Sequence, residues 1–189
     1  MKLFTAVALL AVACGVLACS SSSSGPSSTG NAQVTGTLGT APFVPADAIA
    51  YGNGGASFRI LFTDHAGACA EAQSAVTKGG ASSVSIQLPG AVAGTTYPVD
   101  AVHVESGTDV SFDTFNPDCT STSPSGYATG GHVTITTASE SSLSGTFELT
   151  FDVVTSRSTE KDTITGSFEA PICAGAFEAM SSAQHITCR

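Results

Sequence analysis

From Val34 to the C-terminus, apolar and polar side chains alternate with a period of two, and β-branched residues recur in the alternating stretches. Such a pattern predicts half-buried strands, with one face against a core and the other in water. In the clearest run, Leu143, Gly145, Phe147, Leu149, Phe151 and Val153 share one face, while Ser144, Thr146, Glu148, Thr150 and Asp152 share the other. Ile164, Gly166, Phe168, Ala170 and Ile172 repeat the scheme. With the polar connection Thr155 to Asp162 between them, the two runs predict an antiparallel hairpin. Further strands are expected at Phe43 to Tyr51, Ser57 to Thr63, Ser83 to Leu88, Tyr97 to Glu105, Val110 to Phe115 and His132 to Thr137. Turn-forming clusters at Gly52 to Gly55, Pro89 to Gly94, Asn116 to Gly126 and Gly130-Gly131 separate them. A helix is expected only at Ala66 to Val76, with Asp64 as its cap. Many short strands and frequent turns predict an all-β fold, an antiparallel β-sandwich or flattened barrel with one short helix.

The segments Leu143-Ser144-Gly145-Thr146-Phe147-Glu148 and Ile164-Thr165-Gly166-Ser167-Phe168-Glu169 match position by position, and Val34-Thr35-Gly36-Thr37-Leu38 is a shorter echo. Glycine on the inward face of a strand marks a bulge, a bend or a large side chain lying over bare backbone. A ligand approaching the backbone is the functional alternative. Phe43, Phe58, Phe62, Phe112, Phe147, Phe151 and Phe168 are the expected filling between layers. The spacing of these echoes is too irregular for a solenoid.

Ahead of the alternating region stands a different kind of sequence. Lys2 begins a leader whose apolar run, Leu3 to Ala18, is too short for a membrane span of roughly twenty residues. It closes on Val16-Leu17-Ala18-Cys19, followed by Ser20 to Ser24. This layout resembles the lipobox of bacterial lipoproteins. The resemblance implies a signal peptide over residues 1–18, cleavage after Ala18 by a type II signal peptidase, and diacylglycerol on the Cys19 thiol with further acylation of the new amine. Two or three acyl chains suffice for stable membrane attachment. Ser20 next to the cysteine implies export to the outer membrane in the family it resembles. Residues 19–32, rich in Ser, Gly, Pro and Thr, read as a flexible tether with a reach of about 20 Å. Residues 33–189 then form a single β-rich domain of ordinary size.

Charge and cysteine content narrow the partners. The chain carries 15 acidic and 6 basic side chains, and loss of Lys2 with the leader shifts the balance from −9 to −10. Such a body does not suit nucleic acid or the surface of anionic lipid. The expected partners are the membrane, through the anchor, and an envelope protein or a small ligand. Besides Cys14 and Cys19, four cysteines remain: Cys69, Cys119, Cys173 and Cys188. An even number in an exported chain predicts two disulfides, with three possible pairings. Cys173 with Cys188 is the favoured pair, pinning the tail to the last strand, which leaves Cys69 with Cys119.

Chemistry is sparse. There is no nucleophile elbow, phosphate loop, HExxH or EF-hand pattern, and no cofactor is expected. Asp64-His65 is the place to look for acid/base work, although neighbours in a chain seldom face one another; otherwise Asp64 caps the helix and His65 is solvated. His103, Glu105 and Asp113 could converge on a divalent ion, as could any wet sheet face. His132 and His185 have no companions. The absence of Trp disfavours a sugar-stacking site, for which Tyr51, Tyr97 and Tyr127 would have to serve. A non-catalytic envelope module is the leading expectation, ahead of a lipocalin-like ligand barrel and a hydrolase or metal-dependent enzyme.

Overall fold

The computed structural model describes residues 29–53, 57–100, 107–155, 158–183 and 187–189. The leader, Cys19, most of the tether, His103, Glu105 and His185 lie outside the described residues. In chain order the elements are β1 (Asn31–Leu38), β2 (Ala41–Pro42), β3 (Asp47–Gly52), β4 (Phe58–Thr63), α1 (Ala68–Gln73), β5 (Val76–Thr77), β6 (Ser82–Leu88) and β7 (Thr95–Asp100). There follow β8 (Asp109–Phe115), β9 (Ser121–Ala138), β10 (Ser142–Val154), β11 (Thr159–Pro171), α2 (Ala176–Ser182) and β12 (Thr187–Cys188). The ten-stranded sheet runs β2-β1-β11-β10-β9-β8-β6-β4-β3, with β7 beside the later part of β9. All pairings within it are antiparallel. It curls into an open half-barrel. Its far ends approach each other where Ala50 on β3 bridges Ile172 just after β11, and the Cys173 N–H donates to the Ala50 carbonyl at 2.7 Å. The all-β architecture expected from the alternation is the one observed.

The repeated segments lie opposite each other. Gly145 pairs with Phe168 and Phe147 with Gly166 across β10 and β11. A Cβ on Gly145 would lie 2.8 Å from Phe168 Cζ, and one on Gly166 would lie 2.6 Å from Phe147 Cζ. Each ring therefore lies over the bare backbone of the other strand. Phe62, on β4 at the opposite side of the curl, meets both, at 5.5 Å between ring centroids with Phe147 and 5.7 Å with Phe168. It is wholly buried, as are Ile60, Val84, Ile86, Leu149, Phe151 and Ile164. The expected phenylalanines all join this interior, with Phe58 half-buried at its margin.

Several boundaries differ from the sequence reading. Asn31 and Ala32, assigned there to the tether, pair with Glu169 and Phe168, because the free edge of β11 accepts two more residues of β1. β11 likewise begins at Thr159 inside the expected connection, and polar Glu160, Lys161 and Asp162 continue the ladder on its wet end. The turn expected through Gly126 and Gly130-Gly131 is continuous strand β9. A Cβ on Gly126 would collide with the Asp152 carbonyl, and one on Gly131, at φ 114°, with the Glu148 carbonyl. Glycine there lets the strands approach closely and bend. β9 can thus pair first with β8 and then with β7. α2, seven residues long, was not expected at all.

The disulfides join Cys69 to Cys173 and Cys119 to Cys188, so the favoured pairing is corrected. The bridge to Ala50 carries Cys173 past the end of the sheet to α1, while α2 separates it from Cys188. The tail pairs in parallel with β5, beside the loop that holds Cys119. With sequence separations of 104 and 69 residues, chain entropy assigns each bridge about 4 to 5 kcal/mol. In the Cys119 loop, Asp118 accepts bonds from the Thr120 hydroxyl at 2.6 Å and the Thr120 N–H at 3.1 Å. The hydroxyl first, and then the amide, hold its carboxyl below the ordinary 3.8.

Two outcomes are expected. Gly145→Ala and Gly166→Ala should each lower the unfolding free energy by about 1–3 kcal/mol through overpacking, and Phe62→Ala by about 3–5 kcal/mol, as read from urea denaturation. Asp118 should titrate below 3.8 in carboxyl-carbon NMR, and Thr120→Val should raise it toward that value. The hydroxyl favours the ionised form, so its contribution is present above the ordinary pKa and disappears as pH falls through the lowered one.

Candidate functional site

The alternation that fills the interior also builds a second face. On β4, β6 and β8 the inward residues are Ile60, Phe62, Val84, Ile86, Val110 and Phe112. Their neighbours point the other way and form three transverse rows: Arg59, Gln87, Asp109; Leu61, Ser85, Ser111; and Thr63, Ser83, Asp113. These rows are the floor of a cleft of about 240 Å³, with Ala68, Glu71 and Ala72 of α1, the β5 segment, Tyr51 and Met180 around it. A second hollow of about 300 Å³ continues past Arg59 toward Ser57, Phe177 and Ser181.

Helix α1 is held over this face by a small apolar cluster in which Ile49, Tyr51, Ala68, Ala72, Cys173 and Ala176 are buried against Leu61 and Phe177. Its first turn is held by Asp47, which is 2% exposed. The carboxylate accepts the N–H groups of Gly67 at 3.0 Å and Ala68 at 3.1 Å through Oδ2, and those of Gly30 at 3.2 Å and Ala48 at 2.9 Å through Oδ1. Asp64, expected to cap this helix, does not: Gly67 occupies the cap position, and Asp64 Oδ2 instead accepts the Ser82 N–H at 2.8 Å. Gln73 reaches from α1 to the Ala174 carbonyl at 2.8 Å, adding to the Cys69–Cys173 link with the start of α2.

His65 is not solvated as expected. Its side chain is 11% exposed, with Nδ1 at 3.1 Å from Asp64 Oδ1 and Nε2 at 2.8 Å from Glu71 Oε2. Adjacent residues do face each other here because Glu71, one turn into α1, draws the ring across Asp64. Both ring nitrogens thus contact carboxylates, and the ring bridges the end of β4 to α1.

Of the expected ion-binding trio, Asp113 lies in the cleft and accepts the Ser111 hydroxyl at 3.2 Å; His103 and Glu105 lie outside the described residues. Among the described residues no three His, Cys, Asp or Glu side chains are grouped to hold a metal ion. His132 is exposed on β9. Of the three tyrosines, Tyr51 reaches the cleft, Tyr97 is buried with its hydroxyl accepting the Val92 N–H at 3.1 Å, and Tyr127 is exposed on β9.

Arg59, Gln87, Ser85 and Asp109 carried no motif and were not singled out by sequence. Strand register is the signal that unites them. Arg59 donates to Gln87 Oε1 at 3.0 Å, while the buried Asp109 Oδ1 finds no partner among the described residues.

Comparison of the chain with protein-family models, curated proteins and solved structures finds no match. Function must therefore be argued from this geometry. Replacing Asp47 with Ala would leave the four amides of Gly30, Ala48, Gly67 and Ala68 without their acceptor. A loss of at least about 2–3 kcal/mol is expected. Hydrogen exchange should quicken first in α1; uniform exchange across the domain would show that Asp47 does not hold the helix.

Proposed function

We propose that this chain is a lipid-anchored protein of the bacterial cell envelope, held through Cys19 with Ser20 favouring the outer membrane, and that its β domain is a non-catalytic interaction or structural module. The address rests on the lipobox resemblance. Among the described residues no helix is long and apolar enough to cross a membrane; in this reading the acyl chains on Cys19 supply the attachment.

The observation that carries the non-catalytic part is His65 clamped between Asp64 and Glu71. Among the described residues His65 is the one histidine of the cleft, and it is spent on holding α1 to the end of β4; the Ser111 hydroxyl is held by the Asp113 carboxylate, with no histidine beside it. A lipocalin-like barrel needs an apolar void inside the curl. The positions that would line it are occupied by Phe62, Phe147, Phe151 and Phe168. Recognition in this reading takes place on the outer face or the rims.

Cys19→Ser, in a chain whose residues 1–18 are exchanged for a secretory leader cut by a type I signal peptidase, should abolish incorporation of labelled palmitate and move the chain from the membrane to the soluble fraction, with the far-ultraviolet circular dichroism of the β domain unchanged. Retention of the variant in the membrane would overturn the anchoring. Turnover of an ester, glycoside or peptide substrate that is lost on His65→Ala would overturn the non-catalytic role.

A further inference from the structure

We propose that the cleft over β4, β6 and β8 binds a neutral, polyhydroxylated small molecule, a saccharide of one or two rings. The site is assembled by strand register. Neighbouring strands lie about 4.8 Å apart and alternate residues about 6.7 Å apart along a strand. The three rows thus present a polar grid about 10 Å wide and about 13 Å long. The cleft volume of about 240 Å³, extended by the hollow of about 300 Å³ beyond Arg59, is at the scale of small-ligand pockets.

The grid's chemistry selects the ligand. Arg59 offers donors, of which Gln87 takes one. At the other end of the same row Asp109 lines the cleft, and its carboxylate is under-satisfied, Oδ1 being buried without a donor among the described residues. Gln87 lies between these charged ends, and alongside runs the neutral row of Leu61, Ser85 and Ser111, whose two serine hydroxyls both donate and accept. An anion would meet Asp109 and Asp113, and a cation would meet Arg59 and Lys78, which also lines the cleft. An apolar guest would leave these groups desolvated and unpaired, which is costly. Hydroxyl groups satisfy both kinds of partner, donating to Asp109 while accepting from Arg59 or a serine. Leu61, Met180 and the buried Tyr51 offer apolar surface to the C–H faces of a ring.

This inference does not require the anchor, and the two fail separately: Cys19→Ser reports on the address and leaves the cleft intact. The test is NMR titration of the whole isotope-labelled chain, in a detergent without a sugar headgroup where one is needed. The probes are glucose, galactose, N-acetylglucosamine, cellobiose and chitobiose, with glycine, lysine and acetate as charged controls. At least one saccharide should give saturable shifts centred on Arg59, Ser85, Gln87, Asp109 and Ser111. Asp109→Asn, which keeps the side-chain shape, should weaken that binding at least ten-fold. Ser85→Val, which blocks the middle row, should do the same and covers the case in which the first variant does not fold. Absence of saturation by every sugar, binding unchanged in a folded variant, or preference for a charged control would overturn the proposal.

Discussion

The fold depends on one contact: the Phe62 ring lying against Phe147 and Phe168 inside the curl. Strand twist already curls a sheet of this size, but ladder hydrogen bonds are satisfied whether it is open or closed and give no reason for its two sides to meet. Apolar burial supplies the reason. Phe62 comes from β4, next to the β3 edge of the sheet, and its partners from β11 and β10, on the other side of β9. The three rings can meet only if the sheet bends back on itself. Gly145 and Gly166 make that possible, since a Cβ at either position would occupy the space of the opposing ring. Curvature is thus encoded as two absences facing two large side chains.

Bending the sheet has a second effect, at its ends. Once β3 lies near β11, Ala50 can bridge Ile172 and Cys173 can reach Cys69. Helices of six and seven residues are too short to persist on their own, and here disulfide, apolar cluster and buried carboxylate hold them instead. Asp47 is well placed for this, because β3 brings it to the point where β1, β4 and α1 converge. One carboxylate satisfies amides both just before β1 and at the start of the helix.

What the sequence revealed follows the range of the interactions involved. The inward set of β10, from Leu143 to Val153, was legible because alternation is local, and every member of it is buried. The repeated Gly and Phe motif was visible as a repeat, and packing over bare backbone was one of its expected meanings; the reciprocal pairing with Phe168 and Phe147 needed the register of two strands. The turn expected at Gly130-Gly131 failed because glycine signals both chain reversal and close approach, and composition does not distinguish them. Cysteine pairing failed for a related reason: separation along the chain carried no information about the bridge from Ala50 to Ile172, which decides where Cys173 lies. The cleft residues were the least visible of all, because Arg59, Ser85 and Asp109 are ordinary wet-face residues until β6 sets them side by side.

The placement of the cleft on the outer face follows from the same alternation. Inside the curl, aromatic packing leaves the interior to the core, so polar recognition has to use the alternate positions of the same strands. Each floor residue is then one step along the backbone from a fully buried one: Leu61 lies between Ile60 and Phe62, and Ser85 between Val84 and Ile86. Core side chains at native density do not shift freely, and this rigidity is inherited by the grid of hydroxyls, amide and carboxylates above them. The roof differs, since it is held by one disulfide, a few polar contacts and a small apolar cluster. A rigid floor beneath a separately attached roof is an arrangement in which ligand selectivity is set by strand register and access by α1 and α2.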